Sequence, residues 1–138
     1  MVRSAVVLAV AAALLAGCGK DSATPEDEVR AAVEGYAKAF AARDYQALCD
    51  TYLDPKVIAS LERSGLPCES ALRPQVSATR HPKLAITSVK IDGKVARVVV
   101  HATADGEAPT DQTLALVETK DGWRLTPLGV TGPAPVAP

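Results

Sequence analysis

The sequence predicts an α+β domain, on two observations. Up to about residue 73 the apolar residues recur at helical spacing. From Lys83 onward four β-rich runs follow, "KLAITSVKI", "KVARVVVHAT", "QTLALVET" and "WRLTPLGV". The turn signals "DGK" and "KDG" sit between members of the first and last pairs of runs, and the longer "ADGEAPTD" separates the middle two. A helical half is therefore expected to precede an antiparallel meander of about four strands.

Ahead of the helices stands a targeting segment, residues 1–17. Arg3 supplies a positive charge, Ala5 to Ala16 is an unbroken apolar run, and Gly17 is the small residue a signal peptidase needs beside its cut. A helix of that run is about 18 Å long, too short for a hydrocarbon core of about 30 Å. Leu15-Ala16-Gly17-Cys18 resembles the lipobox of bacterial lipoproteins, in which the cysteine is acylated and becomes the first residue after cleavage. The resemblance makes Cys18 the lipid attachment site, and two acyl chains hold a protein stably where one does not. The competing reading is an ordinary secretory leader followed by a chance cysteine.

With Cys18 lipidated, the three cysteines leave a pair, Cys49 and Cys68, in a chain exported to an oxidising compartment. A disulfide is expected, stabilising the fold by about 3 kcal/mol on a loop-entropy argument. The rival arrangement joins both thiols and His81 to a metal, although structural zinc usually takes four ligands at closer spacing. Removing Arg3 with the leader leaves 14 of the 15 basic side chains against 16 acidic ones, a mild negative charge without long blocks. This pattern points away from nucleic acid and from a polybasic membrane surface.

Residues 18–24 read as the lipidated cysteine and a polar tether reaching roughly 15 Å. Residues 25–130 form one domain, and 131–138, "GPAPVAP" with the residue before it, form a loose tail. Thr24 can cap the first helix, with Pro25 at its first position and Asp27 placed to reach back. Val29, Val33, Tyr36 and Phe40 then share one face. The stripe slips at "AARD", where Asp44 looks like a fresh cap for Tyr45, Leu48, Cys49 and Tyr52. Asp54-Pro55 restarts a helix carrying Val57, Ile58 and Leu61, stopped by Gly65 and Pro67. A last short helix holds Cys68 to Arg73.

In "VARVVVHAT" strand alternation puts Ala96, Val98, Val100 and Ala102 on an apolar face and Val95, Arg97, Val99, His101 and Thr103 on a mixed one. The apolar set is expected to face the helices. His101 then points outward beside Arg97, and His81, next to Pro82, is expected to be an exposed loop residue.

The helix, the break "AARDYQALCDTYLDP", the strand pair around a turn glycine and the closing "LVETKDGWRLTPLG" together resemble the NTF2-like superfamily, which includes ketosteroid isomerase and SnoaL-like proteins. More narrowly, the chain is similar to small NTF2-like lipoproteins of actinobacteria, which often carry a cysteine pair placed like Cys49 and Cys68. The resemblance implies a cone: N-terminal helices packed on a curved antiparallel sheet, with a pocket between them. Tyr36, Phe40, Val98, Val100 and Trp123 are the residues expected to line that pocket.

An isomerase of that family would need an acidic base and an oxyanion-stabilising pair inside the cone. Tyr36 could donate, but no Asp or Glu occupies a clearly inward strand position, and Asp105, Glu107 and Asp111 lie in a loop. The sequence carries no Gly-rich phosphate loop, nucleophile elbow or clustered metal-ligand motif, so no catalytic residue, cofactor or metal is expected. Three readings follow. The first is a non-catalytic lipoprotein on the extracytoplasmic face of the cell membrane that binds a small hydrophobic ligand. The second is an accessory module of the cell envelope, acting through a homodimer or a protein partner. The third is an isomerase- or cyclase-type enzyme. A flat, partly apolar face at Arg97, Val99 and His101 would favour a partner.

Overall fold

The computed structural model describes residues 22–131, with side chains as far as Thr126. The leader, Cys18, most of the tether and residues 132–138 of the tail lie outside the described residues.

Helix α1, Pro25–Ala42, starts as its sequence directs. The Thr24 hydroxyl accepts from the Asp27 backbone N–H at 3.2 Å, and the Asp27 carboxylate accepts from the Thr24 N–H at 2.9 Å, a reciprocal box ahead of Pro25. The Thr24 hydroxyl also donates to the Asp27 carboxylate at 2.7 Å, and this bond first, with that from the Thr24 N–H second, holds the Asp27 carboxyl below its ordinary value. Arg43 closes the helix in the left-handed conformation, φ 57°. Asp44 then caps the short α2, Tyr45–Ala47, which runs on as a π-helical turn, Leu48–Tyr52. That wide turn buries Leu48 and Cys49 together.

Buried Asp54 joins the two halves of the molecule. Its N–H donates to the Leu125 carbonyl at 2.8 Å, beside a parallel bridge between Leu53 and Leu125, while its carboxylate accepts from the Lys56 N–H to start α3, Pro55–Arg63. Val57, Ile58 and Leu61 are only half-buried on α3.

Helix α4, Cys68–Ala78, is longer than the sequence indicates. It passes through Pro74 and ends five residues beyond Arg73. Proline removes one helical hydrogen bond, but Val76, 1% exposed, is packed with Leu48 and Ala39 and keeps the last turn in place. Cys49 and Cys68 form a disulfide, with Cα atoms 6.1 Å apart, that ties the π-helical turn to the start of α4.

Strands β1 (Lys83–Asp92), β2 (Val95–Thr103), β3 (Thr110–Thr119) and β4 (Gly122–Thr131) pair antiparallel in the order β1-β2-β3-β4. The tight turns place Gly93 at φ 58° and Gly122 at φ 105°, a region where a side chain is strained. One sheet face is apolar: Ala96, Val98 and Val100 are fully buried, with Leu114, Leu116, Trp123 and Leu125 beside them. Helix α1 covers that face through Val29 and Val33. A smaller cluster of Ala39, Leu48 and Val76 joins α1 to the shorter helices. Between the clusters the Tyr52 ring lies against Gly35, so close that a Cβ there would sit 2.5 Å from the phenol oxygen. Among the described residues the architecture is α+β, four α-helices and a four-stranded antiparallel sheet.

Candidate functional site: a cavity at the open end of the sheet

Towards its C-terminal end α1 separates from the sheet. Tyr36, Ala37 and Phe40 there face the start of β1, the end of β2 and the start of β3 across a cavity of about 150 Å³. Its sheet wall is Leu84, Ala102, Gln112 and Leu114, and its rim is Thr79 at the end of α4 together with Glu107 and Ala108 of the β2–β3 loop. The cavity exists because the inward residues here are small or polar. Ala102 stands where Val98 and Val100 stand earlier on β2, and Gln112 stands where Leu114 and Leu116 stand later on β3.

Half of the lining residues are polar, among them Lys83 at the start of β1. Burial raises the Tyr36 phenol above its ordinary value of 10.0, so at neutral pH it is a hydroxyl that donates. Its ring meets Phe40 at a centroid distance of 5.9 Å with the planes tilted by 52°. The Gln112 amide N–H donates to the Thr110 hydroxyl at 3.3 Å, leaving the amide oxygen as an acceptor. The Thr79 hydroxyl donates to the Gln75 carbonyl at 2.9 Å. Glu107 reaches the cavity from the exposed loop rather than from a strand.

Of the residues expected to line a pocket, Tyr36 and Phe40 do so. Val98, Val100 and Trp123 are instead closed into the core, because the N-terminal turns of α1 pack against that part of the sheet. Among the described residues the Trp123 indole N–H is buried without a hydrogen-bond partner. Gln112 and Leu114 were not singled out from the sequence, while Ala102 was placed on the inward face and Glu107 in the loop without either being expected to line a cavity. Carrying the inward alternation of β3 one step back from Leu114 would have found Gln112.

Both histidines are exposed, and each rests on an aspartate that sequence spacing did not identify. His81 Nδ1 lies 2.5 Å from Asp105, whose N–H donates to the Arg80 carbonyl, so the β2–β3 loop is fastened to the segment before β1. His101 Nδ1 lies 2.8 Å from Asp111, its partner across the β2–β3 pairing on the outer sheet face. Because the Cys49 and Cys68 sulfurs are bonded to each other and His81 pairs with Asp105, the alternative of a metal held by these three residues does not fit. Among the described residues no group of three or more His, Cys, Asp or Glu side chains is placed to hold a metal ion. No described helix is long and apolar enough to cross a membrane.

A broader, open depression of about 550 Å³ lies over the disulfide, bordered by Asp50, Glu62, Glu69 and Arg73. Arg73 is committed elsewhere, its guanidinium stacked 4.6 Å from the Tyr45 ring centre.

The chain matches no family model and no curated protein. Among solved structures it is similar to a protein from Streptomyces avermitilis described as a "putative dehydratase from the NTF2-like family". The two are 19% identical, the match covers 74% of this chain and 93% of the other, and the TM-score is 0.48.

Proposed function

We propose that the protein is an NTF2-like lipoprotein, held through Cys18 on the extracytoplasmic face of the cell membrane, that binds a small hydrophobic molecule without transforming it. The observation that carries the reading is the cavity at Tyr36, with apolar walls at Phe40, Ala102, Leu84 and Leu114 and a neutral phenol as its half-buried donor. A volume of about 150 Å³ is of the order that accommodates a benzene-sized molecule and lies below the usual range for drug-sized ligands. The ligand is therefore a single-ring or short-chain compound, or the end of a longer one entering past Glu107. A non-catalytic role is supported by the strand positions at the cavity, which carry no carboxylate or imidazole; the ionisable groups at its border besides Tyr36 are Lys83 at the exposed start of β1 and Glu107 of the loop. The lipobox-like Leu15-Ala16-Gly17-Cys18 supports the anchor.

Native mass spectrometry of the chain purified from its own host tests the binding role. A co-purifying small molecule that is absent from the Ala102→Leu variant, in which the cavity is filled, is the expected result. No bound molecule, together with unchanged behaviour of Ala102→Leu, would overturn it. Replacing Cys18 with Ala is expected to release the protein from membranes, and full retention would remove the anchor.

A further inference from the structure

We propose that two copies of this chain pair through the outer edge of β1, antiparallel about a two-fold axis between Thr87 and Ser88. This inference needs no ligand, although Lys83 and Leu84 at the start of β1 also border the cavity. β1 ends the sheet on one side, and among the described residues no backbone group of Lys83–Asp92 bonds to anything beyond that edge. Such an edge is a template for another strand.

The sequence of β1 fits itself. In β1 Thr87 is an extra residue: Ile86 pairs with Val100 and Ser88 with Val99 of β2, leaving Thr87 without an opposite number. Burial along the strand consequently reads the same in both directions, with half-buried Leu84, Ile86, Val89 and Ile91 flanking the exposed pair Thr87 and Ser88. An incoming regular strand would have to match three residues against two across the bulge, as β2 does. A second β1 meets it three against three, and every side chain stays on its own face of the joint sheet. Leu84 then lies opposite Ile91 of the other copy and Ile86 opposite Val89. The half-open apolar side chains on the core-facing side of the edge would cover one another.

Charge agrees with this register. Lys83 falls opposite Asp92 of the other copy, and so does its two-fold mate, while Lys90 falls opposite Ala85. Among the described residues neither Lys83 nor Asp92 takes part in an ion pair within the chain. The bulge and the two lysines are features that discourage foreign strands. In this one pairing the bulges coincide and Lys83 finds an acid.

Within one chain Lys83 and Asp92 stand at opposite ends of a strand about 30 Å long. A zero-length carbodiimide cross-link between them can form only between two chains. Applied to the purified full chain, the reagent is expected to give a covalent dimer whose digest contains Lys83 joined to Asp92. Lys83→Asp lacks the amine for that link, so its pairing is read instead by native mass spectrometry: the dimer fraction is expected to fall about tenfold, because attractive cross-strand pairs become repulsive, and Lys83→Asp/Asp92→Lys is expected to restore both the dimer and a cross-link between positions 83 and 92. Both positions are exposed, so thermal melting of the variants should match that of the parent chain at concentrations low enough to keep the parent monomeric. A chain that stays monomeric, a dimer joined only through other residues, or an undiminished dimer in Lys83→Asp would each overturn the proposal.

Discussion

The two ends of α1 face the same sheet and do different things with it. At its N-terminal end Val29 and Val33 meet Ala96, Val98, Leu116 and Trp123 in a closed core. Two turns further on, Tyr36 and Phe40 meet Ala102, Gln112 and Leu114 across open space. Helix, strands and alternation are the same at both ends. What differs is side-chain volume on β2 and β3 and the loop that borders the gap, so a binding cavity can be made by omission, without a special motif.

Truncating the same residue type at both ends tests this contrast most strongly. Leu116→Ala, in the sealed part, is expected to cost about 2–5 kcal/mol, since the fixed core around it cannot collapse into the space. Leu114→Ala, on the same face but bordering the cavity, should cost measurably less. Equal losses in denaturant unfolding would show that the two ends are packed alike. The reverse experiment adds volume. Ala96→Leu should destabilise by about 1–3 kcal/mol through overpacking, while Ala102→Leu, which has a cavity to fill, should leave the melting temperature nearly unchanged.

The boundary between the two ends is Gly35. Gly35→Ala places a methyl group 2.5–2.7 Å from three atoms of the Tyr52 ring, and should lower stability despite a gain in helix propensity of about 1 kcal/mol. Combining it with Tyr52→Ala should remove the clash and expose that gain. The smallest expected effect is alkaline. Below pH 10 the Tyr36 phenol is neutral folded and unfolded. As the pH rises through 10 the unfolded chain releases its proton first, so stability falls. Tyr36→Phe should flatten that limb of the pH profile, and an unchanged profile would mean the phenol is not the group responsible.

Most of the fold was legible because it rests on local chemistry. Thr24, Pro25 and Asp27 mark a helix start within four residues, and Gly93 and Gly122 mark turns whose backbone favours glycine. Alternation identified Ala96, Val98 and Val100 as the buried face of β2. The extent of α4 was hidden because Pro74 argues locally for a stop and the opposing influence, Val76 packed on Leu48, is distant in sequence. The cavity was only half legible for a similar reason: alternation says which face is inward, but not how far along it the helix stays close. The His101–Asp111 contact depends on the β2–β3 register, which the residues between those strands do not reveal.

The hydrogen bond from Asp54 to Leu125 has a consequence for the order of assembly. It links the end of the first helical stretch to the last strand, one of the longest loop closures in the molecule. Contacts so far apart in sequence form slowly, because the entropy of closing the loop is lost before their energy is gained. A chain stopped before Leu125 would keep the local bonds from Lys56, Val57 and Ile58 to Asp54 that start α3, but would leave that segment unanchored to the sheet even though every described helical residue had been made.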